Sequence, residues 1–446
     1  GDGLEGEEVA DAGQQVAPAA MDPASYVANQ LGLGGTHYCL DAACASALYV
    51  LKTATDHLLS GRVDMMLAGA STFPEPFFIL TGFSTFQALP LAGDKSVPLD
   101  TGSKGLTPGE GGAIMVLKRF EDAVRDGDHI YGSLLGVGVS NAGTGLPLKP
   151  HQPSQVSCLK ETYERIGILP RSVQYVECHA TGTVQGDKAE VEAMKECFGP
   201  DNCPRYGSTK GNFGHTLVAA GFAGMCKVLL SFQHNSIPGT PGVENAVDAN
   251  LVQENIPWPN TLGGLKRAGL SAFGFGGTNA HAVFEEYKAD VGGGPVVIKT
   301  TDRSPKKTFP SPMYLAEELA IVGMEARFGT LGNLSDFERA IFEGKDASRD
   351  LPEKRWRFLT NDDAFLKRLG LSKKPRGCFI DKIDVDYSRI RTPMTKEDEL
   401  IPQQLLALSV MDAALLDAQL PRGGKVAVLV GLGTELELYR HRERLA

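Results

Sequence analysis

The feature that most constrains this chain is an alternation. Between Pro23 and about Glu286, short apolar runs of strand length take turns with longer helical stretches. Such alternation builds a sheet covered by helices, an α/β architecture. Residues 63–68 and 112–117 read as strands, and 173–177 as a third. A helix is predicted from Cys44 to Ser60, stopped at Gly61, and another from Val218 to Ser231. Ala219-Ala220-Gly221-Phe222-Ala223-Gly224 in the second is rich in small residues, which let backbones approach closely. Residues 1–20 are acidic and rich in Gly, Ala and Gln, and read as a disordered, incomplete start. Residues 291–317, with Gly292-Gly293-Gly294-Pro295 and Ser304-Pro305, read as a linker. A new α/β pattern opens at 319–324. Ser335 and Glu338 are spaced as a capping box, a helix is expected over 402–418, and a strand over 425–431.

Composition excludes several function classes. A net charge of −10 is a poor match for general nucleic-acid binding, which relies on Lys and Arg at phosphates. No uninterrupted apolar run reaches about 18 residues, so no membrane span is expected. The 8 cysteines show no CxxC pair and no zinc spacing, so no metal site is expected. Scattered thiols in a long chain suit a reduced, cytoplasmic setting. Gly136-x-Gly138 and Gly274-x-Gly276 lack the acidic residue some twenty positions on that a dinucleotide fold needs.

Chemistry concentrates in four places. In Asp41-Ala42-Ala43-Cys44-Ala45-Ser46-Ala47, small residues surround a cysteine where a strand-like segment meets a helix. A helix N-terminus there favours thiolate. By itself, such a cysteine is more often buried and inert. Two histidines in Gly/Thr-rich loops change the balance: His179 in Cys178-His179-Ala180-Thr181-Gly182-Thr183, and His215 in Lys210-Gly211-Asn212-Phe213-Gly214-His215. A fourth segment runs from Ser271 through Phe273-Gly274-Phe275-Gly276-Gly277 to His281, and its glycines suit a backbone offering N–H donors to a reacting atom. Asp187 and Glu190 follow at helical spacing, and a solvated or structural role is expected of them. His37, His57, His129, His151, His234, His281 and His441 are read as structural or surface residues.

In this order, over most of residues 21–286, the four segments resemble the β-ketoacyl synthases of the thiolase-like fold. The stretches at 75–80, 107–112, 141–150 and 210–221 further resemble the ketosynthase of polyketide-type polyunsaturated fatty acid synthases. In that branch a ketosynthase is followed by a chain-length-factor domain. The segment from Leu319, with Arg355-Trp356 and Pro402-Gln403-Gln404, is similar to the opening of such a second domain.

The resemblance implies a thiolase-like layered α-β-α-β-α fold, truncated at its N-terminus. It implies a synthase domain over 21–290 and a truncated second ketosynthase-like domain over 318–446. Cys44 would carry the growing acyl chain. His179 and His215 would hold the malonyl thioester and stabilise its enolate, and a second histidine rather than asparagine implies an elongating enzyme. Backbone N–H groups of Cys44 and Phe275 would form the oxyanion hole. Thr181 and Thr183 would hold the phosphopantetheine arm of an acyl carrier protein, Lys210 would orient the histidines, and Phe275 would act as a gate. No bound cofactor is implied. Partners would be the carrier protein, other synthase domains or subunits, and a second ketosynthase or chain-length factor in a dimer. A non-catalytic scaffold is the alternative, which Cys44 with both histidines disfavours; a thiolase would have a second cysteine in place of one histidine. With only 43 residues before Cys44, an apolar surface is expected to lie open and to weaken the chain. Tandem domains are the simplest account of 319–446; the alternative ranked below them is that this segment folds back and completes the first sheet.

Overall fold

The computed structural model describes residues 21–73, 76–91, 94–143, 150–261, 264–289, 318–352, 376–391, 400–420 and 425–433. Both ends of the chain (1–20 and 434–446), the expected linker at 291–317 and the Arg355-Trp356 pair lie outside them.

The strands, in chain order, are β1 (His37–Leu40), β2 (Met65–Thr72), β3 (Gly111–Arg119), β4 (Gly132–Asn141), β5 (Tyr175–Glu177), β6 (Arg205–Gly207), β7 (Ser236–Ile237), β8 (Ile256–Pro257), β9 (Arg267–Gly274), β10 (Thr278–Glu285), β11 (Leu319–Phe328), β12 (Arg349–Asp350), β13 (Arg376–Gly377) and β14 (Val426–Gly431). Ten of them form one sheet in the order β1-β14-β2-β3-β11-β4-β10-β9-β5-β6. The pairing senses are palindromic. Inward from β1 they run parallel, parallel, antiparallel, antiparallel. Inward from β6 they run the same way, and β11 meets β4 antiparallel at the centre. Two similar half-sheets are therefore joined at β11 and β4.

Side-chain alternation turns these halves into five layers. Met66, Ala68 and Ala70 of β2 and Ala113, Met115 and Leu117 of β3 face inward, as do Leu270 of β9 and Ala280 of β10. Between the halves lie the helices Ser46–Leu59 and Ala220–His234. They touch closely: a Cβ on Gly221 would sit 2.7 Å from that of Ala47. The opposite faces are covered by Pro23–Leu31 and Pro402–Asp417 on one side and by Gln152–Ile166 and Val184–Phe198 on the other. This is the expected α-β-α-β-α order. The 217–234 stretch is apolar and long enough to cross a membrane, but 83% of it is buried, as befits a central core helix.

The division of the chain differs from expectation. Residues from 318 onward do not stand apart as a second domain: β11 pairs with β3 and β4, and β14 lies between β1 and β2. Fold-back is thus the observed arrangement. Its physical reason is that Leu319–Met324 of β11 and all of β14 are apolar on both faces, as central strands must be. Together with Pro402–Asp417 they cover the surface that was expected to lie open.

Locally, most expected elements are present. The first long helix begins two residues late, at Ser46, and ends before Gly61 at φ +68°. Leu334–Phe342 is capped by the Asn333 side chain, which accepts from Asp336 N–H, and not by the Ser335/Glu338 box.

Candidate active site

The chain turns sharply between β1 and the Ser46–Leu59 helix. Ala43 adopts φ +51°, left-handed for a residue with a Cβ. Three contacts hold it there. Asp41 Oδ1 accepts from Ala43 N–H at 2.8 Å, Ser46 Oγ accepts from Ala42 N–H at 2.8 Å, and Ser46 Oγ donates to Ala43 O at 2.7 Å. The turn places Cys44 at the entrance to the central layer, 8% exposed. Backbone N–H groups of Phe275 and of Cys44 itself point at the sulfur. Gly274 makes this approach possible, since a Cβ there would lie 3.1 Å from Cys44 N and 2.4 Å from Thr278 Oγ1.

The two histidines arrive from the other half-sheet. His179 follows β5, and its backbone N–H and that of Ala180 donate to Glu190 at 2.8 and 2.7 Å. His215 follows β6 and the single turn Lys210–Phe213; its N–H donates to Thr107 O at 2.6 Å. His215 Nε2 lies 3.1 Å from Cys44 Sγ. The two imidazoles stand edge to face, centroids 5.4 Å apart. Cys44, His179 and His215 offer ligand atoms all within 4.8 Å of one another, yet the positive charge of Lys210 opposes a cation there.

Electrostatics correct one expectation. Burial pushes the Cys44 thiol up to about 11, outweighing Lys210 and the two backbone N–H groups. The resting group is a thiol, not a helix-stabilised thiolate. Burial, then Lys210, lowers His215 to about 3. Burial, Lys210 and His215 hold His179 well below its ordinary range. Both imidazoles are neutral at pH 7. Nε2 of His215 can thus accept the thiol proton, and neutral N–H groups can donate to a developing oxyanion. Lys210 is buried, and desolvation lowers its ammonium against the pull of Glu177 and Glu190.

Thr181 and Thr183, two and four residues after His179, are half-buried, with their hydroxyls 3.1 Å apart. Gly182 between them has φ +89°, and a Cβ would meet Gly105 O at 2.7 Å. Phe275 is 39% exposed and packs against Phe83 and Phe86. Asp187 and Glu190 are not solvated: both are buried. Burial raises Asp187 to about 6 although it accepts from Leu99 and Gly182 N–H, and it raises Glu190 to about 7. Sequence reasoning missed the strained Ala43 and the acid Glu177; a run of small residues gives no sign of φ, and a strand-end acid looks like any other.

This fold, with a cysteine turn facing two neutral imidazoles, defines a thiolase-like condensing-enzyme scaffold. The chain belongs to the β-ketoacyl synthase family: the family's N-terminal domain matches residues 6–123 and again 316–446, and its C-terminal domain matches 131–244. It is 58% identical over 96% of its length to a polyunsaturated fatty acid synthase subunit of Thraustochytrium sp., of which it spans 21%. It is 38% identical over 56% of its length to 5-methyl-1-naphthoate synthase of Streptomyces sahachiroi, spanning 15% of that protein. Among solved structures, a PfaC keto synthase-chain length factor aligns over 87% of this chain and 40% of its own, at 36% identity and a TM-score of 0.55.

Proposed function

We propose that this chain carries the condensing site of a β-ketoacyl synthase in polyunsaturated fatty acid or polyketide assembly, extending an acyl group on Cys44 with malonyl thioester. The 3.1 Å contact between Cys44 Sγ and a neutral His215 carries the reading. In the first half-reaction, His215 Nε2 takes the thiol proton as sulfur attacks the acyl thioester. The N–H groups of Cys44 and Phe275 receive the oxyanion, and the departing thiolate takes the proton back. In the second, the malonyl thioester loses carbon dioxide. The electron pair of the broken C–C bond becomes an enolate whose oxygen accepts from a ring N–H of His179 and from His215, whose ring hydrogen shifts to Nε2 once Cys44 is acylated. Its carbon attacks the acyl-Cys44 carbonyl, and Cys44 leaves as thiolate and takes a proton from solvent.

The malonyl group would arrive on the phosphopantetheine of an acyl carrier protein, with the half-buried Thr181 and Thr183 hydroxyls receiving the arm. A type II polyketide acyl-carrier protein in complex with its ketosynthase is among the similar structures, at 25% identity and a TM-score of 0.52. Lys210 would hold the histidines neutral, and Phe275, at the mouth, would gate entry. The twofold match of the family's N-terminal domain supports reading 316–446 as the front of a second ketosynthase-like copy in a longer synthase, and a pair with a second ketosynthase or chain-length factor fits that reading.

Intact-mass and peptide mass spectrometry after mixing the chain with acyl-carrier thioester tests the proposal. An acyl adduct on the Cys44 peptide, absent from Cys44→Ala, is expected. A folded chain that never acquires one would reject the condensing role and leave the non-catalytic scaffold.

A further inference from the structure

The two histidine loops spring from neighbouring strands, β5 and β6, and a buried acid stands between them. Glu177 closes β5, two residues before His179, and is 1% exposed. Its Oε1 accepts from the backbone N–H of Thr209 at 2.6 Å, one residue before Lys210. Its Oε2 accepts from Tyr175 Oη at 2.6 Å and meets Lys227 Nζ at 3.1 Å. Lys227 is fully buried on the central helix, and Glu177 is its one acidic partner among the described residues. Gly224 makes the room: a Cβ there would sit 2.9 Å from Glu177 Cγ.

We infer that Glu177, paired in charge with Lys227, is a positioning residue that sets the His215 loop against His179 for the condensation step. A buried ion pair is a poor source of net stability, because desolvation offsets its attraction. What this one does beyond balancing charge is reach the main chain of the next loop. Two neutral contacts also cross the gap, Cys178 N–H to Gly207 O at 2.8 Å and Ser208 Oγ to Ala180 O at 3.1 Å. They hold the loop's root; Glu177 holds the turn that launches Lys210 and His215. The carboxylate also faces Lys210, supporting its charge against desolvation.

The inference rests on the condensing role proposed above, and two paired variants separate them. Glu177→Gln with Lys227→Met removes the buried charges but keeps an acceptor for Thr209. Glu177→Leu with Lys227→Met removes the acceptor too. Tyr175→Phe is the control for the lost phenol contact. Amide hydrogen exchange over 208–216 is read in all three, alongside Cys44 acylation and carbon–carbon bond formation. The Leu variant should exchange at least about tenfold faster than the Gln variant over 208–216, with exchange over the 46–59 helix alike in both, and should acylate and condense at least about tenfold more slowly because both steps use His215, with Tyr175→Phe close to wild type. Equal exchange in the two double variants overturns the inference whatever the activities. Faster exchange spread equally over 46–59, or acylation and condensation in the Leu variant equal to those in the Gln variant, also overturns it, as the sign of a merely structural pair. A wild-type chain without Cys44 acylation would reject the condensing role, while the exchange comparison would still decide this one.

Discussion

His215 Nε2 stands 3.1 Å from Cys44 Sγ across 171 positions of chain, and neither group is charged at rest. The thiol pushed up to about 11 needs the imidazole to accept its proton, because thiolate is scarce at pH 7. His215→Ala should slow acyl transfer to Cys44 by about 10²–10⁴-fold, the usual worth of a positioned base. Iodoacetamide labelling of Cys44 should keep rising with pH through 9.5. A plateau below pH 8 would show a thiolate already formed and refute the neutral-thiol reading.

Gly274 is the residue that lets Phe275 N–H reach the sulfur. A methyl there would crowd Thr278 Oγ1 at 2.4 Å, Ala42 O at 3.0 Å and Cys44 N at 3.1 Å. Gly274→Ala should therefore displace the donor and cut acyl transfer by about 10²–10³-fold, the cost of losing one oxyanion donor. Single-turnover acylation followed by mass spectrometry measures it. A rate within about threefold of wild type would show that this N–H does not serve the reaction.

The strands, the central helices and the meeting of Cys44, His179 and His215 were legible because each leaves a local mark: apolar runs, small-residue turns, Gly/Thr loops. Three things were not. The Cys44 thiol was expected to be acidic because a helix begins there; the opposing effect, burial on all sides by the other half-sheet, leaves no local trace. For Asp187 and Glu190 a solvated role and a structural one were both open, because their spacing also suits an exposed helix face; the His179 loop folds over them and uses them as acceptors, which only the tertiary structure decides. The place of 319–431 was weighed wrongly because Leu319–Phe328 and Val426–Gly431 are apolar enough to centre any sheet. Only pairing partners far away in sequence decide which one.

Glu190 lends the pH dependence of stability a definite sign. Burial raises its folded value from 4.5 to about 7. The folded state then holds a proton that the unfolded state has released, so this contribution is complete below about pH 4.5 and is lost as pH rises through 7. Glu190→Gln cannot titrate, and its amide N–H₂ faces either His179 N–H or Ala180 N–H, costing about 1–3 kcal/mol. The stability gap between wild type and variant should be widest near pH 5 and narrow by pH 8 in urea melts. A gap that widens with pH would mean the carboxylate is ionised in the fold.

Phe213, two residues before His215, is stacked between rings of the fold-back segment: 4.8 Å from Phe337 and 5.8 Å from Phe328, centroid to centroid. Asn212 beside it donates to Lys345 O at 3.0 Å and accepts from Ala347 N–H at 2.8 Å. Because residues 318–347 pack into this domain, Phe337→Ala should do two things together. It should destabilise the chain by about 3–5 kcal/mol, as expected for emptying a fully buried aromatic site. It should also loosen the His215 loop and slow Cys44 acylation, because the ring it removes backs the residue that aims the imidazole. Thermal melts and Cys44 labelling on the same sample read both. A variant that loses stability in a separate transition, with Cys44 chemistry untouched, would show that the segment packs elsewhere and that β11 is not a strand of this sheet.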